Sequence, residues 1–133
     1  MAHTTSGAPW ILFVDHDEPT ADALARYLQS RGHRAYAVAL GADALSLVGC
    51  ARPDIAVIDS SLPDMTGMEL VARLRALAPR LRVVMTSGDF QPALEIAARR
   101  LGIVYYAHKP VDPERLDAVL TRSLVGGTRH DSE

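Results

Sequence analysis

Short apolar runs that stop abruptly on polar residues, separated by stretches of helical periodicity, are what most restricts the fold of this chain. Residues 10–14, 55–58, 81–85 and 103–106 are each nearly unbroken in apolar character. Runs of this length that do not alternate suit strands buried on both faces, which belong to parallel sheets covered by helices. Residues 34–40 are weaker, with Tyr36 and Val38 alternating with small side chains, and read as a strand nearer a sheet edge. Between the runs, apolar residues recur at helical spacing: Leu24, Ala25 and Leu28 within 17–30, Leu45 and Val48 after Gly41, and Leu70, Val71, Leu74 and Leu77 after Gly67. The same spacing recurs in Leu94, Ala97 and Ala98 within 92–101, and in Leu116, Val119 and Leu120 within 112–124. Gly32, Pro53, Pro79 and Gly102 supply the stops, and Asp112 with Pro113 the start of the last helix. Strands and helices in strict alternation imply βαβ units, right-handed crossovers and one parallel α/β sheet.

A chain of 133 residues with 48% hydrophobic content suits one domain with a real core, expected over residues 10–124, flanked by a small polar leader at 1–9 and a polar tail at 125–133. The formal net charge of -2 mixes both signs and gives no nucleic-acid footprint, so no direct nucleic-acid contact is expected. Cys50 is the sole cysteine and has no metal-ligand spacing around it, which fits a reducing compartment. No run reaches the roughly 18 apolar residues of a membrane span, and the leader lacks the parts of a signal peptide. A cytoplasmic protein without membrane contact is the expectation.

In open α/β sheets the ligand lies beyond the carboxyl ends of the strands. Asp15, Asp59, Thr86 and Lys109 each stand at or just past such an end. An acid at the end of a buried strand is costly unless something is paired with it. Two acids on one rim repel each other, and a divalent cation with oxygen ligands, Mg²⁺, relieves that repulsion. A metal, a carboxylate nucleophile, a lysine and a hydroxyl are the parts of a phosphoryl-transfer site.

These residues resemble the receiver domain of two-component response regulators, of the single-domain type, over nearly the whole chain. The resemblance is carried by Asp15-His16-Asp17 after the first strand, Asp59 with Pro63 and Gly67 following it, Thr86 after the fourth strand and Lys109-Pro110 after the fifth. It implies a flavodoxin-like doubly wound sheet of order 2-1-3-4-5 with five helices. It also implies phosphorylation of Asp59 by a histidine kinase or histidine phosphotransfer protein, with an unknown downstream protein reading the helix 4, strand 5 and helix 5 face. Lys109 and Thr86 would contact the acyl phosphate, and Asp15, Asp59, Ser61 and the His16 position would hold Mg²⁺. Tyr106 matches an aromatic position whose ring turns inward on activation, which makes Thr86 and Tyr106 the switch pair. Such a domain assists its own phosphoryl transfer and autodephosphorylation without being an enzyme in the ordinary sense.

The sequence departs from the family pattern at two places. The first loop usually carries two adjacent acids, and here the second is His16; imidazole is a poor partner for Mg²⁺ and suits a softer ion better. Asp17 would stand in if the chain stayed extended, whereas its plainer role is to cap the first helix. Ser87 follows Thr86 where alanine is usual, adding a polar group beside the expected phosphate. A rival function is a pseudo-receiver, the same fold acting as a phosphorylation-independent interaction module. A hydrolase using Asp59 lacks a second positioned acid near it in sequence. His3, His33 and His130 show no spacing that suggests a site, His16 and His108 read as polar loop residues, and the sequence leaves homodimer formation open.

Overall fold

The structure, a computed structural model, describes residues 9–89 and 91–131, with side chains described as far as Leu124. Its elements are β1 (Trp10–Val14), α1 (Glu18–Ser30), β2 (Arg34–Val38), α2 (Gly41–Cys50), β3 (Ile55–Asp59), α3 (Gly67–Leu77), β4 (Arg82–Ser87), α4 (Pro92–Arg100), β5 (Tyr105–His108) and α5 (Pro113–Asp131). The strands form one parallel sheet in the order β2-β1-β3-β4-β5. This is the 2-1-3-4-5 order expected of a flavodoxin-like fold, with the weakly apolar β2 at an edge.

The unbroken apolar runs serve two cores at once, because alternate side chains on a strand face opposite ways. Ile11, Phe13, Ile55, Val57 and Val84 pack with Leu24 and Leu28 of α1 and Leu116 and Leu120 of α5. Leu12, Val14, Ala56, Ile58, Val83 and Met85 pack with Val48 of α2, Leu70 and Leu74 of α3 and Ala98 of α4. A polar residue at either parity inside β1 or β3 would sit in one of these cores, which is why the runs carry none until their ends.

Helix starts follow local capping. The Asp17 side chain accepts the Thr20 N–H and caps α1 with Pro19 in the first turn. Thr66 and Glu69 close a reciprocal capping box at α3, a pattern of threonine and glutamate three residues apart that is legible in the sequence.

Two strand boundaries differ from expectation. β4 continues through Thr86 and Ser87, expected to follow the strand, because both lie in register with β5. β5 starts at Tyr105, two residues later than the apolar run: Ile103 is apolar because it plugs the core beneath α4 from the preceding turn. The trace of α5 runs to Asp131, past the expected end at Leu124. The expected leader, Pro9 apart, and residues 132 and 133 of the expected tail lie outside the described residues. Arg75 is partly buried and donates to the carbonyls of Leu81, Leu101 (3.1 Å) and Gly102 (2.9 Å), tying α3 to the turn before β5.

Candidate functional site

Alternation and register together assemble the site. Continuing the series Ile11, Phe13 and Ile55, Val57 by one more step lands on Asp15 and Asp59, and continuing Val84 lands on Thr86. Tyr105 and Ala107 lead in the same way to Lys109. Val14 stands opposite Ile58, Asp59 opposite Thr86 and Thr86 opposite Ala107, so these side chains leave the sheet side by side at its carboxyl rim. Main-chain bonds extend the ladder past the strands: Asp15 N–H donates to Val38 O at 3.0 Å and Lys109 N–H to Ser87 O at 2.9 Å.

Lys109 is the hinge of the cluster. Its Nζ lies 3.0 Å from Oδ2 of Asp15 and 3.0 Å from Oδ2 of Asp59. The other oxygens take main-chain donors: Asp17 N–H to Asp15 Oδ1 at 2.9 Å and Ser61 N–H to Asp59 Oδ1 at 3.2 Å. Burial pushes the Asp59 carboxyl above its ordinary range, against the opposing pull of the Lys109 and Ser61 hydrogen bonds, and the Asp15 charge adds to the rise. Burial alone would lower Lys109, but its hydrogen bonds to Asp59 and Asp15 outweigh that and raise it. The result is a firmly charged ammonium held between two acids, one of which is strained by desolvation.

The donor set suits a divalent cation. One atom each from Asp15, His16 and Asp59 lies within 4.8 Å of the others, and two carboxylates against one ammonium leave the cluster negative when His16 is neutral. His16 Nδ1 is 3.7 Å from Asp59 Oδ2, with the ring 56% exposed and the acid 5%. Ser61 reaches the cluster through its N–H on Asp59. Asp17 is engaged by Thr20, whose Oγ1 donates to it at 2.7 Å, so the capping role is the one the structure shows.

The loop after Asp59 is shaped by short main-chain bonds: Ser60 N–H to Thr86 O at 2.8 Å, Leu62 N–H to Met65 O at 3.1 Å, and Gly67 N–H to Ser60 O at 2.9 Å. A Cβ on Gly67 would stand 2.4 Å from Asp59 O and 2.8 Å from Ser60 Cα, so only glycine fits there. Sequence reasoning overlooked Asp64, whose carboxylate accepts the N–H groups of Gly41 and Ala42 at the start of α2. An acid beside a proline in a loop carries no sign of its distant partner.

Thr86 is buried at the strand end and lines a cavity of about 380 Å³ with Asp15, Asp17 and Lys109. Ser87 has the opposite parity, and its hydroxyl is bound to the Asp89 main chain, donating at 3.0 Å and accepting at 3.2 Å. Tyr106 faces the core shared with Met85 and Ala98, 4% exposed, and its buried hydroxyl has no hydrogen-bond partner. The structure therefore brings Asp15, His16, Asp59, Ser61, Thr86 and Lys109 together and sets Tyr106 on the other side of the sheet.

The doubly wound sheet thus carries a cluster of two acids, a lysine and a hydroxyl at its carboxyl rim. Residues 11–121 match the response regulator receiver domain family, and the chain belongs to that family. Among relatives, it is 33% identical over 84% of its length to the photosynthetic apparatus regulatory protein RegA of Rhodovulum sulfidophilum, spanning 61% of that protein. It is 30% identical over 94% of its length to the transcriptional regulatory protein AfsQ1 of Streptomyces coelicolor, spanning 55% of it. The chain thus spans somewhat over half the length of these relatives. A CheY-like receiver domain from Methanospirillum hungatei superposes with a TM-score of 0.89 at 25% identity, covering 93% of this chain and 99% of that one. The fold and the family are those the sequence implied, and a receiver is a signalling domain rather than an ordinary enzyme. No helix among the described residues is long and apolar enough to cross a membrane.

Proposed function

We propose that this receiver accepts a phosphoryl group on Asp59 from the phosphohistidine of a histidine kinase or phosphotransfer protein. The observation that carries the reading is the Lys109 ammonium placed 3.0 Å from both Asp15 and Asp59. A carboxylate oxygen of Asp59 forms a bond to phosphorus as the phosphorus–nitrogen bond breaks. The electron pair leaves with the donor imidazole, which takes up a proton. Lys109 offsets charge on the transferring oxygens, and Thr86, one strand away from Asp59, supplies its hydroxyl to the acyl phosphate. Asp15 and Asp59, with Ser61 and His16 alongside, would hold a divalent ion, which would supply electrostatic stabilisation of the phosphoryl oxygens. Attack of water on phosphorus later releases inorganic phosphate and restores the carboxylate.

The added charge shifts a two-state equilibrium through Thr86 and Tyr106 and is read by a protein partner on the face of α4, β5 and α5. Exposed Ile96 and Val104 on and beside those elements support that face as the contact surface. The signal belongs in the cytoplasm, where histidine kinases present their phosphohistidine. Incubation with a small-molecule phosphodonor and a divalent ion should give one phosphoryl adduct by intact mass, absent in Asp59→Asn. No adduct under any divalent ion would overturn the reading and leave a phosphorylation-independent interaction module.

A further inference from the structure

The chemistry of His16 bears on which ion the cluster takes. Two ligands held about 2.1 Å from one octahedral ion lie about 3.0 Å apart at right angles and about 4.2 Å apart when opposed. The 3.7 Å between His16 Nδ1 and Asp59 Oδ2 lies between these two separations, so a turn of the ring that shortens it by about 0.7 Å brings the pair to adjacent positions on one ion. Asp15 completes the set within 4.8 Å. The imidazole is more than half exposed, so it can turn toward an ion without moving the backbone or leaving a packed position. Asp59 has no such freedom, being pinned by Lys109 and by Ser61 N–H.

A set of two carboxylates and one imidazole has a different preference from a set of three oxygens. Mg²⁺ demands oxygen donors and gives up its waters reluctantly, whereas imidazole is a strong ligand for divalent ions of the transition series and for Zn²⁺. We propose that His16 makes this receiver select ions that accept a nitrogen ligand more readily than Mg²⁺ does, Zn²⁺ foremost and Mn²⁺ after it, through direct coordination by Nδ1. This deepens the phosphoacceptor reading, on which it rests for the purpose of the ion, and makes the phosphorylation state responsive to transition-metal supply. Replacing the imidazole by a carboxylate restores an all-oxygen set and with it affinity for Mg²⁺. Removing the side chain takes away the nitrogen ligand and leaves the acids in place.

Calorimetric titration of the full chain with Mg²⁺, Mn²⁺ and Zn²⁺ tests this in wild type, His16→Asp and His16→Ala. The expected result is a preference for Mn²⁺ and Zn²⁺ over Mg²⁺ at least about tenfold larger in wild type than in His16→Asp, with Mg²⁺ affinity raised in the aspartate variant. Bound Mn²⁺ should show directly coordinated ¹⁴N in pulsed electron paramagnetic resonance of wild type, lost in His16→Ala. Equal ion preferences in all three proteins, or no ¹⁴N coupling in wild type, would overturn the proposal and make His16 a solvated loop residue. The outcome is separable from that of the phosphoacceptor reading. Nitrogen coupling without any phosphoryl adduct leaves the metal selectivity standing and removes the phosphoacceptor, and an adduct formed with Mg²⁺ but no nitrogen coupling does the reverse.

Discussion

Asp64 and Gly41 are joined across two loops: the Asp64 carboxylate accepts Gly41 N–H at 2.9 Å and, with its other oxygen, Ala42 N–H at 3.0 Å. Leu40, at the cap position of α2, offers no side-chain acceptor, so the cap comes from the Asp59 loop. These N–H groups hold the Asp64 carboxyl below its ordinary range. A depressed acid stabilises the fold above its unfolded value and loses that effect as pH falls through its folded one. Asp64→Ala should therefore lower Tm by about 5 °C at neutral pH, with Asp64→Asn intermediate because it keeps one acceptor. Thermal melts should show the gap closing in acid; a gap independent of pH would mean that the carboxylate charge plays no part.

Gly67 answers to a different constraint. Its missing Cβ would meet backbone atoms of Asp59 and Ser60, which cannot swing aside as a side-chain tip can. Gly67→Ala should destabilise by about 1–3 kcal/mol, read by urea unfolding. Because relief requires the Asp59 carbonyl to move, the same variant should take up phosphate more slowly from a phosphodonor. Unchanged stability would show that the loop relaxes freely.

How much of this was legible in the sequence follows from which interactions are local. Asp15 and Asp59 could be placed because a strand's parity carries its last core residue directly to the rim, and the apolar runs announce that parity. Thr66 with Glu69 is similarly local and readable. Ile103 misled because burial is what an apolar residue reports, and a turn that plugs a core buries its side chain as well as a strand does. Asp64 and Arg75 were opaque, since their partners, Gly41 and Gly102, are set by tertiary packing and leave no trace in neighbouring residues. The face taken by Tyr106 follows from parity alone, since it lies three residues before Lys109 and therefore on the opposite side of the sheet.

Tyr106 carries a hydroxyl that is buried without a partner. An unsatisfied polar group in a core costs more than the apolar atom it replaces. Tyr106→Phe should raise stability by about 1 kcal/mol with no change in fold, measured by chemical denaturation. A loss of stability would mean that the hydroxyl finds a partner in solution.

Asp59 and Lys109 set the pH dependence. Burial raises the Asp59 carboxyl, so the folded state binds its proton more readily than the unfolded chain does. Such a group favours the fold fully below its unfolded value, near 3.8, and that advantage is lost as pH rises through the folded value. At neutral pH, then, ionised Asp59 is a burden on the metal-free protein. Asparagine removes the charge and keeps the shape, while Asp15 still pairs Lys109 at 3.0 Å. Asp59→Asn should accordingly melt a few degrees higher than wild type near pH 7 in chelator, with the difference shrinking as pH falls toward about 3.5. Added divalent ion should close the gap from the other side, by stabilising wild type alone. If the asparagine variant instead melts lower near pH 7, the ion pair with Lys109 outweighs the burial of Asp59, and the order of those two effects in the folded state is reversed.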